Sequence, residues 1–255
     1  MRLGFIGTGT ITAHIVRGLQ GSALADWPVV LSPRNVETAA ALAALPGVTV
    51  AASNQAVIEA CDIVILAIRP QIAEDVLSGL RVAPDQLVIS LIAGLHLPQI
   101  AALTGAARIA RAIPLPFVEQ RQGVTPVYPA DPTALRLFAA LGTALPVDDL
   151  AAYDAYAAAS ALMGSYFGVL QTASGWMVGQ GLPAEAAAGY LRGLFGSLGD
   201  VLRASDADFA SLRADHSTRG GLNEMVFDRF AAAGGTTALE AALTAAFDRV
   251  QGRAG

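Results

Sequence analysis

Lysine is absent: all 16 basic residues are arginine. This excludes a lysine Schiff base and the lysine of a phosphate-binding P-loop. Cysteine is nearly absent too. The single Cys61 can form no intramolecular disulfide and supplies no multi-cysteine zinc site. The three histidines, His14, His96 and His216, are too widely separated for a metal-ligand spacing, so no metal site is expected. Charge is scarce, at 15% of residues against 54% hydrophobic, which allows a large core and excludes disorder. The net charge of −5 leaves no basic face for nucleic acid. No secretory signal is read at the start, where residues 3–7 run into a strand and a glycine turn, and a cytoplasmic location is the expectation.

A length of 255 residues fits one or two domains. In the first half, short apolar runs alternate with helical stretches. Strands are predicted at Leu3–Gly7, Pro28–Leu31, Val48–Ala51, Asp62–Ile68, Gln86–Ile92 and Arg108–Ile113. Helices are predicted between them, at Thr12–Leu19, Val36–Ala44, Gln55–Ala60, Gln71–Leu80 and Leu97–Thr104. Continuous apolar strands alternating with helices imply a doubly wound parallel sheet covered on both faces, an α/β fold of Rossmann type. From about Asp149 the strands stop, and Ala151–Gln180, Pro183–Ala204, Asp206–Arg213 and Thr237–Arg249 read as helices. The expectation is therefore a nucleotide-binding domain over residues 1–150 and an all-α domain over 151–255.

Residues Ala155–Ala184 contain no charge, a run long enough to cross a membrane. Ser160, Ser165, Gln171, Thr172, Ser174 and Gln180 are scattered around it, however, which argues for a helix buried on all sides in protein. A small helical domain has little interior of its own, so the partner expected is a second copy of the same helix, in an intertwined homodimer.

Gly7-Thr8-Gly9-Thr10-Ile11-Thr12 follows the first strand and opens a helix, the context in which G-x-G-x-x-G/A binds a dinucleotide. Gly7 permits the turn, Gly9 lets the backbone approach the pyrophosphate, and the helix N-terminus offers free N–H groups. Thr12 stands where Gly or Ala is usual, which predicts slightly looser helix–strand packing. The second strand carries no terminal acid for ribose hydroxyls. It leads into Ser32-Pro33-Arg34-Asn35, whose hydroxyl, guanidinium and amide suit a 2′-phosphate, so NADP(H) is predicted over NAD(H). The remaining cofactor contacts expected are Asn54 before the third helix and Ala67, Arg69 and Pro70 after the fourth strand.

Leu3-Gly4-Phe5-Ile6-Gly7-Thr8-Gly9, Leu66-Ala67-Ile68-Arg69-Pro70-Gln71, Ile89-Ser90-Leu91-Ile92-Ala93-Gly94 and Ser217-Thr218-Arg219-Gly220-Gly221-Leu222-Asn223-Glu224 resemble, in order and spacing, the pyrroline-5-carboxylate reductases. The resemblance implies a Rossmann domain followed by a helical dimerisation domain, and reduction of the cyclic imine Δ1-pyrroline-5-carboxylate to proline with NADPH or NADH. It weakens at the substrate end. Ile113-Pro114-Leu115-Pro116-Phe117 replaces a Met-Pro-Asn-Thr-Pro run. With Asp154 set against the family's Asp, Ser160-Ala161-Leu162-Met163-Gly164-Ser165-Tyr166 replaces Ser-Gly-Ser-Gly-Pro-Ala-Tyr, and Arg219 stands for a Pro. These changes make the pocket bulkier and more apolar, at about 1–3 kcal/mol per lost hydrogen-bond partner of a polar substrate.

Hydride transfer asks little of side chains, because the nicotinamide carries the chemistry. The protein must tolerate an iminium and anchor a small carboxylate. Ser217, Thr218 and the N–H groups of Gly220 and Gly221 form a candidate anion nest. Ser160 is a candidate substrate hydrogen-bond donor, and His216 a candidate proton donor ahead of His14 and His96. Arg219, if turned inward, can hold an anionic substrate. Two rivals stand beside imine reduction. One is a carbonyl-directed dehydrogenase, disfavoured by the missing lysine; the other is an NADP-binding sensor without catalysis.

Overall fold

The computed structural model describes residues 1–253. The chain divides into two compact units, Met1–Ala157 with the stretch from Phe247 onward, and Ala158–Ala246.

The first unit is built on one eight-stranded sheet. Its strands are β1 (Leu3–Ile6), β2 (Val29–Leu31), β3 (Val48–Val50), β4 (Ile63–Leu66), β5 (Leu87–Ser90), β6 (Arg108–Ala112), β7 (Val124–Tyr128) and β8 (Thr143–Pro146), in the order β3-β2-β1-β4-β5-β6-β7-β8. The first six are parallel, as expected, with Leu3 opposite both Val29 and Ile63. Successive side chains point to opposite faces. Leu3, Phe5, Val29, Leu31, Ile63, Ile65, Leu87 and Ile89 enter one buried cluster, whereas Ile6, Val30, Val64, Leu66 and Val88 enter another. Burial on both sides is why these strands read as unbroken apolar runs.

Helices α1 (Thr10–Gln20), α2 (Val36–Ala43), α3 (Asn54–Ala60), α4 (Ala73–Leu77), α5 (Leu97–Thr104) and α6 (Pro132–Ala139) connect the strands. Two strands escaped the sequence reading. β7 contains Pro126, which cannot donate to a ladder and hides a strand from inspection; it runs antiparallel to β6. β8, reached through α6, is short and pairs with β7 in parallel. The helix predicted at Gln71–Leu80 is a 3₁₀ turn, Pro70–Ile72, followed by only five residues of α4.

The predicted helix Ala151–Gln180 is two helices, α7 (Leu150–Ala159) and α8 (Leu162–Gly179), separated at Ser160-Ala161. Most of α7 belongs to the first unit, where Tyr153 stacks at 5.7 Å on Tyr128 of β7. The second unit holds α8, α9 (Ala184–Ala204), α10 (Phe209–Asp215), α11 (Leu222–Ala232) and most of α12 (Gly235–Val250). The α11 segment was not anticipated as a helix. No helix among the described residues is long and apolar enough to cross a membrane.

Candidate functional site

The C-terminal ends of β1, β2, β3 and β4 lie side by side, and each runs into residues singled out from the sequence. Gly7–Ile11 follow β1, Ser32–Asn35 follow β2, Asn54 opens α3 beyond β3, and Ala67–Pro70 follow β4. The chain order reverses between β1 and β4, and such a switch point is where open α/β sheets bind ligands.

The glycine turn is fixed from three sides. Gly7 has φ +101°, and a Cβ on it would stand 2.3 Å from the Ala67 carbonyl oxygen, so only glycine lets β1 and β4 close here. A Cβ on Gly9 would meet nothing within 4 Å, leaving open space above the start of α1. Thr12 is buried and donates its hydroxyl to the Gly7 carbonyl at 2.7 Å, so it closes the turn rather than loosening it. Gly9 is the N-cap of α1 without a side-chain cap, and the first-turn amides stay available to an anion. A dinucleotide's diphosphate fits this open cradle.

Ser32 requires a correction. It is fully buried, and its Oγ accepts the Gly7 N–H at 3.0 Å while Thr8 Oγ1 donates to the Ser32 carbonyl at 2.9 Å. Its hydroxyl serves the turn and cannot face a 2′-phosphate. Asn35 adopts a left-handed conformation (φ 62°), caps α2 through Oδ1, and donates from Nδ2 to the Thr8 carbonyl at 3.0 Å. Arg34 is exposed and forms no ion pair among the described residues, so of the predicted trio it alone offers an uncommitted charge. Asn54 and Ala67 are half-buried, and Arg69 and Pro70 are exposed.

His14 is not a free proton donor; its Nδ1 pairs with the Glu119 carboxylate, which also lies 3.9 Å from Arg17. His96 is the N-cap of α5, with its N–H bonded to Gln99 Oε1 at 2.9 Å.

The other candidates belong to the second unit. Ser160 occupies the turn between α7 and α8 and is half-buried. His216, Ser217 and Thr218 lie in the connection from α10 to α11, and of these three only Ser217 is half-buried. His216 Nδ1 donates to the Leu212 carbonyl at 2.8 Å, and the His216 carbonyl accepts from Asn223 Nδ2 at 2.6 Å. The anion nest is internally paired. Glu224 Oε2 accepts the Gly220 N–H at 2.6 Å, and the Gly221 N–H bonds to the Thr218 carbonyl at 2.8 Å. Those two amides are therefore not open to a ligand as the sequence suggested. Arg219 is exposed and forms no ion pair among the described residues. Gly220, Gly221, Glu224, Met225 and Arg229 line a groove of about 550 Å³.

One polar cluster was missed. Arg111 of β6 and Asp154 of α7 are both at least 98% buried, with Arg111 Nη1 3.7 Å from Asp154 Oδ1. The Arg111 guanidinium lies 4.6 Å over the Tyr153 ring, and Gln251 Nε2 reaches Asp154 Oδ2 at 3.3 Å. Burial pushes the Tyr153 phenol well above its ordinary pKa, against the lowering effect of Arg111. The signal available in the sequence was an arginine inside an apolar strand.

Comparisons with known proteins agree with this geometry. The family described as "NADP oxidoreductase coenzyme F420-dependent" matches residues 2–94, which carry the glycine turn. The pyrroline-5-carboxylate reductase of Pseudomonas aeruginosa is 29% identical over 261 residues, covering 97% of this chain and 95% of that protein. Among solved structures, the 1-pyrroline-5-carboxylate reductase of Streptococcus pyogenes superimposes with a TM-score of 0.86 at 21% identity, over 99% of this chain and 98% of that one. The pyrroline carboxylate reductase of Plasmodium falciparum, solved with NADP bound, gives 0.81 at 18% identity, over 100% of this chain and 98% of that one. With the same order of elements along its whole length and the glycine turn at the head of the sheet, this chain is similar from end to end to the pyrroline-5-carboxylate reductases.

Proposed function

We propose that the protein is an NADPH-dependent reductase of the C=N bond of a small cyclic imine acid, with Δ1-pyrroline-5-carboxylate as the first substrate to test. The observation that carries this reading is the collinear match to the Pseudomonas aeruginosa reductase over 97% of the chain, with an open pyrophosphate turn at the position the chemistry requires. NADPH supplies the hydride, which adds to the imine carbon while a proton is taken up at nitrogen. The amides of Thr10 and Ile11 at the start of α1 hold the diphosphate, and Arg34 holds the 2′-phosphate by charge-assisted hydrogen bonds. The hydroxyls of Ser217 and Thr218 bind the substrate carboxylate, and Ser160 donates to the substrate. His216, tethered through Nδ1, keeps Nε2 to deliver the proton.

The reading includes a homodimer formed through the helices of the second unit. Its support is the shortage of interior there. Within Ala158–Ala246 only Ala158, Ala187 and Leu191 are buried apolar side chains, while Phe167 is 63% and Trp176 67% exposed. A surface of this kind marks an interface.

A second reading, reduction of a cyclic imine lacking the carboxylate, is favoured by one observation: Glu224 already occupies the Gly220 amide with its own carboxylate. One assay separates the two. Purified protein with NADPH is offered pyrroline-5-carboxylate and, separately, 1-pyrroline, and loss of NADPH absorbance is followed. The leading reading expects faster turnover of the acid; turnover of 1-pyrroline alone selects the second reading, and turnover of neither rejects imine reduction.

A further inference from the structure

Four side-chain hydrogen bonds fasten the loop after β2 to the glycine turn after β1. Ser32 Oγ takes the Gly7 N–H at 3.0 Å, Thr8 Oγ1 donates to the Ser32 carbonyl at 2.9 Å and approaches Ser32 Oγ at 3.2 Å, and Asn35 Nδ2 donates to the Thr8 carbonyl at 3.0 Å. The two Thr8–Ser32 contacts are buried and the Gly7–Ser32 bond is part-buried. The fourth is different. Asn35 sits beside Arg34 on the outside of the loop, at φ 62° and ψ 69°, a left-handed conformation that asparagine tolerates better than most residues. Its Oδ1 faces the Thr38 N–H at the head of α2 in a long contact of 3.5 Å. One amide thus spans the turn that faces a diphosphate and the helix that begins beside Arg34. Both hydrogen-bonding ends of the side chain are engaged inside the protein, which is how a brace behaves rather than a ligand-binding group.

We propose that Asn35 is a positioning residue for coenzyme discrimination: its amide ties the segment carrying Arg34 to the pyrophosphate turn, so that the two anionic groups of one NADPH meet sites at a fixed spacing. The inference rests on the reading that the protein binds NADPH with Arg34 at the 2′-phosphate. Without the brace the interior bonds of Ser32 and Thr8 still hold the turn, so a diphosphate alone is still received. What is lost is the pre-set placement of the guanidinium, and pre-organisation of this kind is a component of affinity. NADH, which has no 2′-phosphate, does not use it.

Calorimetric titration with NADPH and with NADH tests this on the wild type, Asn35→Ala, Asn35→Gly, Arg34→Ala and the Arg34→Ala/Asn35→Ala double variant. The expected result is that Asn35→Ala weakens NADPH binding about tenfold, one decade of Kd, and leaves NADH within about twofold. Asn35→Gly, which keeps the left-handed backbone at no cost, is expected to match Asn35→Ala, and it stands in if the alanine variant fails to fold. In the double variant the loss of Asn35 is expected to add nothing to the loss of Arg34, because nothing remains to be positioned. The proposal is overturned if both coenzymes weaken equally, if Asn35→Gly binds NADPH like the wild type, or if the two losses add. Should Arg34→Ala itself leave NADPH binding unchanged, the coenzyme assignment falls first. If Arg34→Ala weakens NADPH and Asn35→Ala does not, only the brace is refuted.

Discussion

Gly7 and Gly9 look interchangeable in the fingerprint but differ in what surrounds them. Gly7 is hemmed in by the Ala67 carbonyl and needs a positive φ, whereas Gly9 faces open space. Gly7→Ala is therefore expected to lower the unfolding free energy by about 2 kcal/mol or more, through overpacking and backbone strain. Gly9→Ala is expected to leave the denaturation midpoint within error and weaken NADPH binding; a urea titration paired with calorimetry distinguishes the two. Cys61 makes a pH prediction. Burial, more than the opposing pull of Arg2, raises its thiol pKa to about 12, from an ordinary value near 9.0. Below pH 9 both folded and unfolded forms keep the proton and no stability is lost. Above it the unfolded chain ionises first, so this group's contribution to stability declines from about pH 9 to about pH 12. In the native protein Cys61 is expected to resist iodoacetamide at pH 8 and to react once urea unfolds the chain, as mass spectrometry will record. Rapid native labelling contradicts the burial.

At the level of elements, β6 and α7 are joined by the Arg111–Asp154 pair, whose Arg111 Nε and Nη1 and Asp154 Oδ1 have no hydrogen-bond partner among the described residues. Buried ions pay heavily for lost hydration, and removing one partner strands the other. Asp154→Leu or Arg111→Met alone is expected to cost about 3–5 kcal/mol, whereas the double replacement recovers most of that loss. Urea unfolding of the three variants checks it, and additive losses would show that the pair is not coupled. The elements most legible in the sequence were β1 to β5, because strands covered on both faces leave continuous apolar runs and their connections carry glycine and polar breaks. β7 and β8 were not legible. Pro126 interrupts one pattern, and the other is four residues long. The break between α7 and α8 was equally hidden, since Ser160 and Ala161 carry no helix-stopping signature and the turn there closes through the Ala161 N–H to the Ala158 carbonyl.

For the molecule as a whole, the helices of the second unit expose more apolar surface than a lone subunit in water usually shows. Sedimentation is expected to give a mass of twice 26.1 kDa, and Trp176→Asp, on an exposed face of α8, is expected to shift it toward the single mass. A monomeric wild type would remove the dimer from the proposed function. The sequence by itself determined the parallel sheet, the glycine turn at its head and the absence of an acid after β2. These are written in neighbouring residues, through alternation of side chains across a strand and the torsional freedom of glycine. Only the tertiary structure decided who partners whom. Ser32 turned inward to the Gly7 N–H, Glu224 filled an amide thought open, and Arg111 met Asp154, because a hydrogen bond or ion pair is fixed by which distant segments the packing brings within reach.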